Sequence, residues 1–161
     1  ADAMILPRGL RNNNAGNLRR TGIPWHGELI GHKADWPSLI PPHVDGDFEQ
    51  FEHAVFGIRA MARTLMGYQA RRGLTSIRTM VTRYAPPAEH APHNYVAQVA
   101  HEVNHLTDSA FLVVAPPLVI SFQQANLEAL IAAMIRVENG QQPYSRLLIR
   151  EGVTLALLKE I

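Results

Sequence analysis

The chain has 161 residues, no cysteine and a formal net charge of +1 at pH 7, which is long enough for one domain with a sizeable core. The balanced charge gives no strong attraction to nucleic acid or anionic membranes, and the missing cysteine excludes disulfides and thiol catalysis. No apolar run reaches the roughly 18 residues of a transmembrane helix, and the first residues show no signal-peptide pattern.

The N-terminal third of the chain is predicted to consist of loops with little regular structure. Residues 1–52 are rich in glycine, proline, asparagine and histidine, and only short strands are expected, around residues 25–30 and 48–51. Helical periodicity begins at His53. We therefore predict a single domain over residues 1–161, with a β/loop lobe over 1–52 and a helical body over 53–161.

Three amphipathic helices are predicted in the first part of this body. The first ends near Gly73, and the second is capped by Thr75 and ended by Pro86-Pro87. The third follows Pro92. The fold class expected from this order is mainly α (α+β).

Two further helices are predicted after a short helix or turn over residues 108–113. One begins at a capping box formed by Ser121 and Gln124, and Gly140 is a good residue for ending it. The last spans roughly residues 145–158, with a bend or register break at Gly152.

The helix that ends before Gly140 delivers a glutamate at its C-terminal end. Glu138 shares a side of this helix with an apolar stripe, Leu127, Leu130, Ile131, Met134 and Ile135. The negative end of the helix dipole and apolar surroundings both favour a protonated carboxyl, as a general acid requires. The alternative is an ordinary surface glutamate beside a helix end.

Residues 129–145, ALIAAMIRVENGQQPYS, resemble the catalytic helix of lytic transglycosylases in the lysozyme-like superfamily. In that family a similar helix delivers the catalytic glutamate and is followed shortly by Pro-Tyr. The resemblance implies that Glu138 is the general acid of a glycosidase. Asn139 stands where the family often has serine.

A second resemblance lies near the start of the chain. Residues 8–19, RGLRNNNAGNLR, look like the "RGxRNNNPGNxR" opening of phage and prophage proteins associated with cell-wall lysis, with Ala15 in place of proline. The likeness continues in family order as far as His93-Asn94-Tyr95-Val96. This order is also similar to bacterial glucosaminidases, whose "NYA" tyrosine lies in the active site, so Tyr95 is implied as a site residue.

The order of these motifs differs from that family in one respect. In the glucosaminidases the catalytic glutamate precedes the asparagine motif, whereas no glutamate precedes Asn12 here. We infer a circular permutation of the lysozyme-like order, in which Glu138 returns to face the loop from Asn12 to Asn17. Termini commonly lie close together at domain surfaces, so such a rearrangement is feasible.

Other side chains are candidates for the same site. Glycoside cleavage often uses a second carboxylate, for which Glu28 is the candidate, although ordinary exposure explains this residue equally well. Lytic transglycosylases use one glutamate and let the 6-hydroxyl of the sugar attack. Candidate sugar-binding side chains are Asn13, Asn14, Asn17, Trp25 and Tyr144; the asparagines are equally suited to holding turns together.

A competing motif is His101-Glu102-Val103-Asn104-His105, which matches the H-E-x-x-H pattern of zinc peptidases. On a helix, His101 and His105 would share a face and bind zinc, with Glu102 as general base. The longer metzincin pattern fails, because Asp108 and Phe111 stand where it requires glycine and histidine. The alternative to a zinc site is two exposed histidines on a polar helix face.

These observations favour a peptidoglycan-degrading glycosidase, of muramidase or lytic transglycosylase type, that needs no cofactor. Its expected partner is the peptidoglycan glycan strand, reached in the cell wall or periplasm by phage lysis or from a virion, and it is expected to act as a monomer. The alternatives are a zinc metallopeptidase and a non-catalytic wall-binding module of a virion.

Overall fold

A computed structural model describes residues 6–29, 45–84, 92–107 and 124–158. The predicted turn over 108–113 and the Ser121 capping box lie outside these ranges. The described residues form six helices: α1 (Arg8–Arg11), α2 (Ala54–Arg72), α3 (Ile77–Tyr84), α4 (Pro92–Thr107), α5 (Gln124–Asn139) and α6 (Arg146–Leu157). The predicted mainly α class is therefore confirmed.

The strands predicted in the N-terminal third are reduced to two isolated antiparallel bridges. They pair Arg19 with Phe48 and Glu28 with Phe51. Side chains form hydrogen bonds with backbone groups that would otherwise pair with another strand. The Asn14 amide, for example, donates to the Glu49 carbonyl at 2.9 Å. Within the described ranges, this part of the chain is therefore held by side chain–backbone bonds more than by a sheet.

The helix ends follow local capping rules. Ser76, and not the predicted Thr75, caps α3: Thr79 N–H donates to Ser76 Oγ at 3.0 Å and Ser76 N–H to Thr79 Oγ1 at 3.3 Å. Ser145 caps α6 by accepting from the N–H of Leu148 at 3.1 Å. Gly140 ends α5 with a left-handed φ of 71°, as predicted, because glycine adopts this conformation without steric cost.

The chain divides into two compact units. Unit 1 combines Ala1–Met61 with Tyr144–Ile161, and unit 2 is Ala62–Pro143. Unit 1 thus draws on both ends of the chain, and α2 continues from unit 1 into unit 2. The expected single domain, with a lobe boundary after residue 52, stays a prediction.

Unit 1 packs the first two turns of α2 closely against neighbouring segments. A Cβ at Gly57 would lie 2.1 Å from the backbone oxygen of Asn13, and a Cβ at Gly152 would lie 2.5 Å from Ile58 Cγ2. The bend or register break predicted at Gly152 is not there, since α6 runs through this residue without interruption. Glycine is needed here because two helices approach each other.

Unit 2 has its core on the apolar stripe of α5. Leu127, Leu130, Ile131, Met134 and Ile135 are all fully buried. Further buried apolar residues of unit 2 come from α2, α3 and α4, among them Leu65, Ile77, Met80, Val81, Val96, Val99 and Val103. Among the described residues, no helix is both long enough and apolar enough to cross a membrane.

Candidate active site

Glu138 lies in the last turn of α5, half-buried, at the end of the buried stripe. The helix closes regularly around it: the N–H of Gly140, the first residue after α5, donates to the carbonyl of Arg136 at 2.8 Å. The carboxylate therefore sits on a rigid helix whose neighbouring turns are anchored in the core. Such a support fixes the position of a reactive group better than a loop does.

Tyr95 of α4 holds the Glu138 carboxylate in place. Its hydroxyl donates to Glu138 Oε1 at 2.8 Å, and only 4% of the Tyr95 surface is exposed. Burial, followed by the charge of Glu138, raises the pKa of Tyr95, so the phenol remains a proton donor throughout the physiological range. Two residues that the sequence selected by separate arguments are thus brought together in unit 2.

Tyr84, at the C-terminal end of α3, is a third member of this cluster that the sequence analysis did not select. Burial and then the Glu138 charge raise its pKa well above the ordinary value. Its hydroxyl is buried and has no hydrogen-bond partner among the residues described. The sequence placed Tyr84 on an apolar helix face, and no local pattern distinguishes a core tyrosine from one that lies beside a distant glutamate.

The asparagines proposed to bind sugar build the N-terminal turn of unit 1. Asn14 is fully buried, its amide donates to the carbonyls of Leu18 and Glu49, and its oxygen accepts from Leu18 N–H at 3.0 Å. Asn14 therefore holds this turn together, and its sugar-binding role stays a prediction. Asn13 and Asn17 adopt left-handed φ values of 53° and 52°, which asparagine tolerates better than most residues; their sugar-binding role stays a prediction.

The remaining candidates for sugar contact and catalysis also lie in unit 1. Trp25, Glu28 and Tyr144 are half-buried, and burial raises the pKa of Tyr144 to about 12. Glu28 belongs to unit 1, as do the asparagines, whereas Glu138 belongs to unit 2. A second catalytic carboxylate and the circular permutation therefore both stay predictions.

A buried polar network in unit 1 was not anticipated from the sequence. Asp45 accepts two hydrogen bonds from the Arg8 guanidinium, both 2.6 Å long, and one from the Asn12 amide at 3.0 Å. Burial alone would raise the pKa of Asp45, but these hydrogen bonds outweigh it and hold the pKa well below its ordinary value. The partners are more than thirty residues apart in sequence, so no local pattern could have identified them.

The H-E-x-x-H segment lies on α4, where His101 and His105 are exposed. Glu102 forms an ion pair with Arg136 at 3.4 Å. A separate open cavity of 280 Å³ lies here, lined by Gln98, His101, Glu102, Arg136, Val137 and Gly140. Over the described ranges, no three histidine, aspartate or glutamate side chains are placed to hold a metal ion, so the zinc alternative has no third protein ligand there.

The fold and this site define a mainly helical protein with a helix-end glutamate held by a buried tyrosine. No protein-family profile matches the chain. The chain is 35% identical over 148 residues to Protein P5 of Pseudoalteromonas phage PM2, and the match covers 90% of this chain and 79% of that protein. The chain therefore belongs to the family of this phage protein.

Proposed function

We propose that the chain is a peptidoglycan-degrading glycosidase, of muramidase or lytic transglycosylase type, with Glu138 as its general acid. The observation that supports this most directly is the hydrogen bond from Tyr95 to Glu138 at the end of α5. This bond joins Glu138 and Tyr95, and each of them is indicated by a different resemblance to wall-degrading enzymes. Membership of a phage protein family fits an enzyme that a phage delivers to the bacterial cell wall.

The chemistry assigned to Glu138 is proton transfer to the leaving oxygen of a glycosidic bond. As that bond breaks, the proton moves from Glu138 to the oxygen, and Glu138 becomes a carboxylate. The Tyr95 hydroxyl then donates to a full negative charge, and such a hydrogen bond is stronger than one between neutral groups. Water or the 6-hydroxyl of the sugar attacks the oxocarbenium centre and returns its proton to Glu138.

The decisive experiment is mass spectrometry of the soluble fragments released from purified peptidoglycan. Wild type should release disaccharide-peptides, and Glu138→Gln should lower the rate by at least about 100-fold, the usual contribution of a general acid. Glu128→Gln is the matched control, because it removes the same charge from the first turns of the same helix and should leave the rate unchanged. Equal turnover by wild type and Glu138→Gln would refute the role of Glu138.

The same samples separate the alternative functions. Free stem peptides on intact glycan, lost on chelation and in Glu102→Gln, would indicate the zinc peptidase. Binding to peptidoglycan without release of any fragment would indicate the wall-binding module. Anhydro, muramic or glucosamine ends on the released disaccharides would name the reaction and the linkage cut.

A further inference from the structure

Two carboxyl groups of unit 1 lie on the same side of a short antiparallel contact. Glu28 pairs with Phe51 in an isolated bridge, and Glu49 precedes Phe51 by two residues, so its side chain points to the same face. A residue and the diagonal neighbour of its partner lie about 7–8 Å apart, within reach of long side chains. The backbone pairing therefore brings the Glu28 and Glu49 carboxyls together.

Glu49 is poorly placed to carry a negative charge. Only 1% of its surface is exposed. One oxygen, Oε1, accepts from Arg20 Nη1 at 3.2 Å; the other, Oε2, is buried and receives no hydrogen bond from an N–H donor within the described part of the chain. A buried carboxylate without full hydrogen bonding is costly, and protonation removes that cost.

Among the described residues, the Arg20 guanidinium is the cation that contacts Glu49. The Arg20 guanidinium also donates to Gln50 Oε1 at 3.0 Å and to the carbonyl of Asp45 at 2.9 Å. The Asp45 carboxylate itself is occupied by Arg8. In the described residues 19–29 and 45–53, the other titratable groups are Arg19, Asp47, Glu52 and His53, all exposed, and His26, which is half-buried. Among the described residues, a second negative charge at this contact would therefore have to share the Arg20 counter-charge.

We propose that Glu28 and Glu49 form a carboxyl pair that retains one proton near neutral pH and acts as a pH-sensitive latch. The latch joins residues 27–29 to residues 50–52. Its backbone bonds run from Leu29 N–H to the Gln50 carbonyl and from Glu52 N–H to the Gly27 carbonyl, both 2.8 Å long. The inference does not depend on the proposed glycosidase.

The direction of the pH dependence follows from the raised pKa of the Glu49 carboxyl. Burial, and next the neighbouring Glu28 carboxyl, raise the pKa of Glu49 from 4.5 to about 8 against the opposing charge of Arg20. The closed latch therefore binds more protons than the open one between these two values. Its opening constant rises by up to about tenfold per pH unit over this interval and is constant above it.

The test is amide hydrogen exchange of Leu29 and Glu52 from pH 5 to pH 9, corrected for the intrinsic pH dependence of exchange. In wild type the protection of both amides should fall at least tenfold between pH 5 and pH 8 and then level off. In Glu49→Gln it should stay constant, because the amide cannot ionise. Glu52→Gln is the matched control. It makes the same substitution at an exposed carboxylate three residues after Glu49, and its amide protection should depend on pH as that of wild type does.

A second measurement tests the pair directly, and its first part uses wild-type protein alone. In wild-type protein, the ¹³C carboxyl resonance of Glu49 should titrate near pH 8. In Glu28→Gln its midpoint should move to lower pH, because the neighbouring charge is gone. A wild-type midpoint near 4.5, or protection of Leu29 and Glu52 that does not change between pH 5 and pH 8, would overturn the latch.

Discussion

The hydroxyl groups of Tyr95 and Tyr84 are both buried near Glu138, yet their hydrogen bonding differs. The Tyr95 hydroxyl donates to Glu138, whereas that of Tyr84 has no partner among the described residues. A satisfied hydrogen bond to a charged group contributes to stability, and a buried unpaired donor opposes it. The two phenols should therefore respond in opposite ways when the hydroxyl is removed.

The prediction is that Tyr95→Phe destabilises the protein and Tyr84→Phe does not. Loss of the bond to Glu138 should lower the free energy of unfolding by about 1.5–3 kcal/mol. Tyr84→Phe should leave it unchanged or raise it. Urea unfolding followed by circular dichroism measures both. The reference is Tyr68→Phe, at a third tyrosine of unit 2 whose pKa is also raised by burial. Equal losses of unfolding free energy in Tyr95→Phe and Tyr84→Phe would contradict the prediction.

At the scale of single elements, α6 depends on the absence of a side chain at Gly152. Alanine normally stabilises a helix interior by about 0.5–1 kcal/mol relative to glycine. Here a Cβ would lie 2.5 Å from Ile58 Cγ2 and 3.1 Å from the carbonyl oxygen of Val55. The second contact is with backbone of α2, which cannot turn away as a side chain can.

Gly152→Ala should therefore lower the free energy of unfolding by about 1–3 kcal/mol, since overpacking outweighs helix propensity. Thermal unfolding measures the effect. Glu151→Ala, at the exposed neighbouring position, is the control and should change stability by less than about 0.5 kcal/mol. A stabilised Gly152→Ala protein would show that α6 and α2 separate easily.

Elements were predictable from the sequence where their cause is local. The helical period, the end of α5 at Gly140 and the start of α6 after Ser145 depend on residues within a few positions of each other. The buried contacts of unit 1 depend on residues such as Asp45 and Glu49, which meet partners twenty to forty positions away. Glu138 and Tyr95 were found through their motifs, but only coordinates could show that they touch.

At the scale of the molecule, unit 1 contains two carboxyls with opposite pH dependence. The lowered pKa of Asp45 stabilises the folded state above its ordinary value of 3.8, and this contribution is lost as the pH falls below that value. The raised pKa of Glu49 acts in the other direction and weakens unit 1 as the pH rises from 4.5 to about 8. Unit 1 should therefore be most stable in mildly acidic solution.

The acid side of this optimum can be tested with Asp45→Asn. At pH 6 the variant should be destabilised by about 2 kcal/mol or more, because charge-assisted bonds to Arg8 are lost. Its urea midpoint should fall less steeply than that of wild type between pH 5 and pH 2.5. Asp47→Asn is the control: this carboxyl also approaches Arg8, at 3.7 Å, but is 76% exposed. Parallel pH curves for wild type and Asp45→Asn would exclude the assignment.

The order of segments in the chain has a consequence for synthesis on the ribosome. Unit 1 needs α6, which is synthesised after every residue of unit 2. Domains fold as units while the chain emerges. Until α6 has been synthesised, Ile58 of α2 lacks its contact with Gly152. The newly made protein should therefore acquire unit 2 first, and its N-terminal residues should remain vulnerable to proteases until α6 has been synthesised.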